Sequence, residues 1–321
     1  MSTNESIQPV VSVVIPSRNR PQLVSRAVKS ALAQTYKAIE VIVIVDGPDR
    51  DTVQVIEAIN DSRLRVIELP VNVGPAGARN AGVREAKGTW IAFLDDDDEW
   101  LPQKIERQLE VANHSRYAFP IIASRFIARS SKGDFIWPKK LISNSENISD
   151  YLFVRNSLFM GEKFIATPTL LTKKELLQKI PFNNLRRHED WDWLLRSNQL
   201  ADVGIEFAPE ELCVCSMQLN RNSLSSTSNW KYSLDWIRSV RELITPLAYS
   251  AFIVIEVIPQ ASSEGSWKVF LLLLWDILKF GKPRPVDFLL YFAMWLFPQN
   301  IRQQIRYFFI KKQPQHMHKP I

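Results

Sequence analysis

Short apolar runs and longer mixed stretches take turns along the first hundred residues. "VVSVVI" (10–15), "IEVIVIV" (39–45), "RLRVIEL" (63–69) and "TWIAFL" (89–94) are β-branched or otherwise continuously apolar, the pattern of strands buried on both faces. Between them the period changes. Leu23, Ala27, Ala31 and Leu32 recur at helical spacing behind Pro21, Val55, Ile56 and Ile59 mark a second helix, and "AGARNAGVREA" (76–86) a third. The first strand is expected to stop at Pro16 and the second at the "DGPD" turn. Strand and helix in alternation predict a mostly parallel α/β sheet covered by helices, which binds ligands beyond the carboxyl ends of its strands.

Further on the pattern is mixed. "PIIASRFIARS" (120–130), "FIATPTLLT" (164–172), "VGIEFAP" and "ELCVCSM" read as strands, and "WDWLLRSNQL" (191–200) as a helix. After the Ser/Asn-rich stretch "RNSLSSTSNW" (221–230) the composition shifts to apolar-aromatic helices and a basic tail, so residues 1–228 are expected to form one domain and 229–321 a helical appendage. "WKVFLLLLWDILKF" (267–280) and "VDFLLYFAMWLF" (286–297) are each too short to span a bilayer. They fit either a hairpin packed on the first domain or, the favoured reading, an interfacial anchor. In that second case Trp275, Trp295 and Phe297 lie at headgroup level and Arg302, Arg306, Lys311, Lys312 and Lys319 draw the tail to anionic lipid.

Composition narrows this picture. The chain has 321 residues, 46% of them hydrophobic and 23% charged, which suits a folded protein with a sizeable core. A net charge of +6 favours anionic partners. The positive charge is spread and largely terminal rather than gathered in a stripe, so nucleic acid is not expected. Two cysteines, Cys213 and Cys215, share one face of a strand and read as small buried hydrophobes in a reducing compartment. The polar start lacks the order of a signal peptide, and no apolar run reaches spanning length, so a cytoplasmic location is expected, with peripheral contact at the inner face of the cytoplasmic membrane.

The candidate chemistry begins where the fourth strand ends, at "LDDDDEW" (94–100). Acids there can favour the N-terminus of the helix that starts near Pro102, but one or two would suffice. Four in succession make ionisation costly unless a cation relieves it. Magnesium or manganese takes one or two protein carboxylates and fills its shell with water and substrate phosphate. A basic protein with an acidic metal site therefore suggests a diphosphate ligand. Neither G-x-x-x-x-G-K-[ST] nor G-x-G-x-x-G occurs, so no glycine-rich cradle is available for the phosphates.

"SVVIPSRNR", "VIVIVDGPD", "NVGPAGARNAGVREAKGTWIAFLDDDDEWLP" and, a hundred residues later, "HEDWDWLLR" together resemble the family 2 glycosyltransferases over about residues 10–225. The resemblance implies the nucleotide-sugar-binding GT-A fold, an inverting, metal-dependent transfer to an acceptor hydroxyl, and a role in cell-surface polysaccharide or glycolipid synthesis. Position by position, it implies that Pro16, Ser17 and Arg18 lie in the nucleotide loop, Asp46 meets the base, and Arg79 sits near the nucleotide. Asp95 and Asp96 open the D-x-D motif towards the nucleotide and Asp97 binds Mn2+ or Mg2+, with Asp98 beside it. Asp190 matches the catalytic base, flanked by Glu189 and His188, and Arg221 and Ser223 match a loop that closes over the diphosphate. Two departures leave the base open: Val45 stands where the family usually has an acid, and Ser17-Arg18 where it has an aromatic or Thr-Tyr pair.

From residue pattern alone, acids in "HEDWDW" equally suit a helix start, and "RNSLSS" a linker. Two other functions compete: a nucleotide-sugar-binding protein without turnover that recruits a partner through its C-terminal helices, and a sugar-phosphate nucleotidyltransferase, whose glycine-rich N-terminal loop is missing here. The expected partners are a nucleotide sugar and a carbohydrate or lipid-linked acceptor.

Overall fold

The structure is a computed structural model that describes residues 11–131, 133–143, 145–155, 162–217 and 230–297. The described chain forms two compact units, one of residues 1–137 and 165–218, the other of 138–164 and 219–321.

In the first unit the predicted alternation is present as β1 (Val11–Ser17), α1 (Pro21–Leu32), β2 (Ile39–Val45), α2 (Arg50–Glu57), β3 (Leu64–Glu68), α3 (Gly74–Glu85) and β4 (Trp90–Phe93). These four strands are parallel, in the order β3-β2-β1-β4. β1 does not stop at Pro16: it runs to Ser17, with Pro16 opposite Ile44 and Ser17 opposite Val45. Nearly every side chain of β1, β2 and β4 is buried, which accounts for the continuous apolar runs. Gly82 explains how close α3 lies to this sheet, since a Cβ there would stand 2.3 Å from Val14 Cγ1.

Beyond β4 the sheet becomes mixed. β5 (Glu99–Trp100), α4 (Lys104–Asn113), β6 (Phe119–Ser130), β7 (Gly133–Trp137), β8 (Leu171–Lys173), α6 (Lys174–Lys179), α7 (Glu189–Ser197) and β9 (Val203–Ser216) complete the unit, α5 belonging to the second unit. β8 pairs antiparallel with β4 and β6, β6 runs parallel to β9, and β5 pairs antiparallel with β9 at the far edge. Two expectations change here. The strand expected at 164–172 contracts to three residues because a 3-10 turn at Thr167–Thr169, centred on Pro168, occupies its middle. "VGIEFAP" and "ELCVCSM" are one strand, β9, whose register against β6 shifts beside Ser124 and Arg125.

The second unit holds α5 (Ile148–Phe153), α8 (Trp230–Ser239), α9 (Pro246–Phe252), α10 (Ile258–Ala261), α11 (Trp267–Phe280) and α12 (Pro285–Leu296). Residues 138–164 belong here and not with the first domain as expected, because Phe153 on α5 packs edge-on against Trp236 of α8 and Phe252 of α9. The boundary expected at 228, with Arg221 and Ser223, lies outside the described residues, as does the basic tail after 297. No helix among the described residues is long and apolar enough to cross a membrane.

Candidate active site

β1 has β2 on one side and β4 on the other, so the chain switches direction along the sheet between β1 and β4, the position where open α/β sheets leave a crevice. Ser17 ends β1, and Asp95 to Asp98 follow β4 in the loop to β5. The hydroxyl of Ser17 donates to Asp96 Oδ2 at 2.9 Å. Arg20 Nη1 donates to Asp96 Oδ1 at 3.0 Å and to Asp97 Oδ2 at 3.4 Å. Asn19 holds the loop between them in the left-handed region, φ 53°, which asparagine tolerates better than most residues.

The four acids coexist because donors from separate elements neutralise them. Asp95 accepts from Arg79 Nη2 at 2.8 Å, Asp96 and Asp97 share Arg20, and Asp98 Oδ1 accepts from the Ser216 N–H of β9 at 2.9 Å. Burial pushes the Asp96 carboxyl up to about 6 against the pull of Arg20 and Ser17. Asp98 is raised well above the usual carboxylate range, by burial first and then by Asp95 and Asp97. Asp95 and Asp97 keep 31% and 23% of their side chains exposed, so these two carboxylates reach solvent.

Arg79 connects this loop to the second acidic stretch. It projects from α3, is 5% exposed, and donates through Nη2 to Asp95 and through Nη1 to Glu189 Oε1 at 3.1 Å, with the Phe182 ring 5.9 Å from its guanidinium carbon. Burial opposes its charge, but Asp95 and Glu189 outweigh that and keep the guanidinium ionised. Glu189 and Asp190 begin α7. Burial, then the like charge of Glu189, raises the Asp190 carboxyl to about 7, while the Trp191 N–H and Arg79 pull the other way. His188 caps the helix at φ 68°, stacked on Trp191 with ring centroids 5.1 Å apart. Burial, helped by Arg187, lowers its imidazole to about 3, so it is neutral near pH 7.

Other nominated residues are placed differently. Asp46 ends β2, and its carboxylate accepts from the N–H groups of Val73 (2.7 Å) and Gly74 (3.0 Å) and from Asn72 Nδ2 (2.9 Å). Those bonds cap the start of α3, a task the sequence did not reveal. Pro16 is half-buried within β1, and Arg18 is exposed, with no ion pair among the described residues. Arg20, which grips the acids, was missed although it stands in the same "SRNR" loop; the alternation of two arginines around Asn19 was the available signal.

Carboxylate oxygens are the donor type a hard divalent ion takes. Among the described residues no group of three or more His, Cys, Asp or Glu is arranged to hold a metal. The solvent-reaching carboxylates of Asp95 and Asp97 therefore fit an ion that uses one or two protein ligands and completes its shell with water and phosphate, and do not fit an all-protein cage.

A parallel sheet with its acid loop at the switch point, continued by antiparallel strands, is the GT-A architecture of glycosyltransferases. The chain belongs to glycosyl transferase family 2, which it matches over residues 12–181, and it is a glycosyltransferase. That match contains Asp46, Arg79 and the acid loop and ends before His188. An uncharacterized glycosyltransferase of Haemophilus influenzae is 32% identical over 71% of this chain and 76% of its own length. The putative teichuronic acid biosynthesis glycosyltransferase TuaG of Bacillus subtilis is 31% identical over 70% and 84%. Escherichia coli WfgD, a UDP-Glc:alpha-D-GlcNAc-diphosphoundecaprenol beta-1,3-glucosyltransferase, is 27% identical over 71% and 84%. Among solved structures, Staphylococcus aureus TarS (residues 1–349, with UDP-GlcNAc) shares the fold at a TM-score of 0.59 and 15% identity over 92% of each chain. The three curated relatives are named as glycosyltransferases, TuaG as a putative one of teichuronic acid biosynthesis, and membership of the family sets aside the reading as a binder without turnover.

Proposed function

We propose that this glycosyltransferase moves a sugar from a nucleoside-diphosphate sugar to an acceptor hydroxyl with inversion, in cell-surface polysaccharide or glycolipid synthesis. The observation that carries the reading is the Arg79 bridge, which joins the acid loop at Asp95 to α7 at Glu189, the neighbour of Asp190. The names of WfgD, TuaG and the UDP-GlcNAc complex of TarS support a nucleotide-sugar donor and a glycan acceptor.

In this mechanism Asp190 accepts the proton of the acceptor hydroxyl as its oxygen bonds to the anomeric carbon, and the bond from that carbon to the diphosphate oxygen breaks with its electron pair leaving on the diphosphate. One displacement inverts the centre. A carboxyl near 7 is matched to that proton transfer, and such general-base catalysis contributes about 10²- to 10⁴-fold. Asp97, with Asp95 beside it, would hold Mn2+ or Mg2+, which supplies Lewis-acid neutralisation of the departing charge. Ser17 and Arg20 keep Asp96 turned towards β1, so the loop presents Asp95 and Asp97 outward. Neutral His188, stacked on Trp191, fixes the entry to α7 without adding charge beside Asp190.

The test is Asp190→Asn. Transfer from the nucleotide sugar should fall by about 10²- to 10⁴-fold while the dissociation constant for UDP stays within about threefold. Transfer at the parent rate would refute the assignment.

A further inference from the structure

The last two described helices of the second unit are built inside out. Among the described residues, ten of the twelve most exposed large hydrophobic side chains lie between Trp267 and Phe297. On α11 the outward stripe is Trp267, Leu271, Trp275 and Leu278, with Trp275 53% exposed; on α12 it includes Leu289 at 69% and Leu296 at 74%. The inward faces hold the acids. Asp276 is fully buried and bonded to Arg238 at 2.6 Å and to the hydroxyl of Tyr249. Asp287 is 2% exposed and takes three bonds from Arg284, at 2.8, 3.0 and 3.1 Å. A helix that faces water alone shows the opposite order.

The charge on this face has one sign. Asp276 and Asp287 are the only acids between 267 and 297, and both are inside; the exposed charges there are Lys268, Lys279 and Lys282. Lys279 lies 4.3 Å from the Trp275 ring, so cation and aromatic face outward together. The sequence beyond Phe297 adds Arg302, Arg306, Lys311, Lys312 and Lys319 and no acid. At 14 and 12 residues the helices are about 21 and 18 Å long, short of the roughly 30 Å of a bilayer core.

From these observations we infer that the outward face of α11 and α12 lies in the headgroup layer of an anionic membrane, apolar side chains down and Lys268, Lys279 and Lys282 against lipid phosphates. Large exposed apolar patches mark an interaction surface, and the three exposed lysines among them select an anionic one. A second copy of the chain is disfavoured by the same lysines, which would meet their own sign. The inference does not depend on Asp190 or on the metal.

Flotation of the full chain with phosphatidylcholine vesicles, with and without phosphatidylglycerol, tests it. The parent should float with the phosphatidylglycerol vesicles and leave them as salt is raised. Joint Lys268→Gln, Lys279→Gln and Lys282→Gln should weaken binding roughly fivefold per lysine. Joint Trp275→Ser, Leu289→Ser and Leu296→Ser should abolish it, while thermal unfolding and transfer to a water-soluble acceptor stay at parent values. The inference falls if the parent ignores phosphatidylglycerol vesicles at low salt, or if the serine variant floats as well as the parent. It also falls if the parent sediments as a dimer that the serine variant dissolves.

Discussion

Both units bury carboxylates, but they neutralise them differently. In the second unit one arginine serves one acid: Arg238 bonds Asp276 and Arg284 bonds Asp287. At the acid loop of the first, each arginine serves two: Arg20 bonds Asp96 and Asp97, and Arg79 bonds Asp95 and Glu189. A one-to-one pair is electrically closed and holds helices in place. A two-to-one arrangement keeps surplus negative charge at a strand edge, where it raises the neighbouring carboxyls of Asp96 and Asp98 and where the proposed cation would relieve it. Burial alone does not distinguish the acid loop from the second unit; the ratio of acids to cations does.

That contrast can be broken from either side. The largest effect is expected for Arg79→Leu. It should lower stability by about 2–4 kcal/mol, less than for a wholly buried pair because Asp95 reaches water, and reduce transfer at least tenfold through loss of the Asp95–Glu189 tie. Urea unfolding and initial rates measure the two. If transfer survives at the parent rate in the folded variant, the bridge is only structural.

Next comes pH. The base works as a carboxylate, and burial places its titration near 7, so transfer should fall about tenfold per pH unit below 7 and level off above it. His188, lowered to about 3, does not change charge in that range. Lys104 does: it is fully buried over the Trp100 ring and its ammonium is brought down to about 7 by desolvation. Lys104→Met should leave the inflection in place; an inflection that disappears with Lys104 would remove Asp190 from the account.

Smaller changes follow. Asp276→Ala should cost about 1–3 kcal/mol of stability, with Arg238 able to turn to water, and leave transfer to a soluble acceptor unchanged. Asp46→Ala removes the cap of α3 and should cost about 1–2 kcal/mol while the KM for the donor stays within about twofold. A large rise in that KM would instead support the base contact implied by the family resemblance.

The sequence made the first half of the sheet legible because its signals are local: period two against period three to four, with Pro21, Gly74 and Pro75 marking the helix starts. It also placed the acid loop at a strand end. What it could not show depends on partners far along the chain. β8 and β9 take their register from β4 and β6, and α5 is drawn to the second unit by Phe153 meeting Trp236 and Phe252. Arg79 and Glu189 are 110 positions apart, so no local pattern announces their bond. The bonds Asp46 makes were hidden for a related reason: the loop that uses its oxygens, Asn72 to Gly74, returns from the end of β3.

The most direct measurement is calorimetric titration of UDP into the parent and into Asp97→Ala, each with manganese present and with all divalent ions chelated. Manganese should tighten UDP binding at least tenfold in the parent and have no effect in the variant. Equal tightening in both proteins, or none in the parent, would contradict the claim that the surplus carboxylates at the end of β4 hold a cation against a diphosphate.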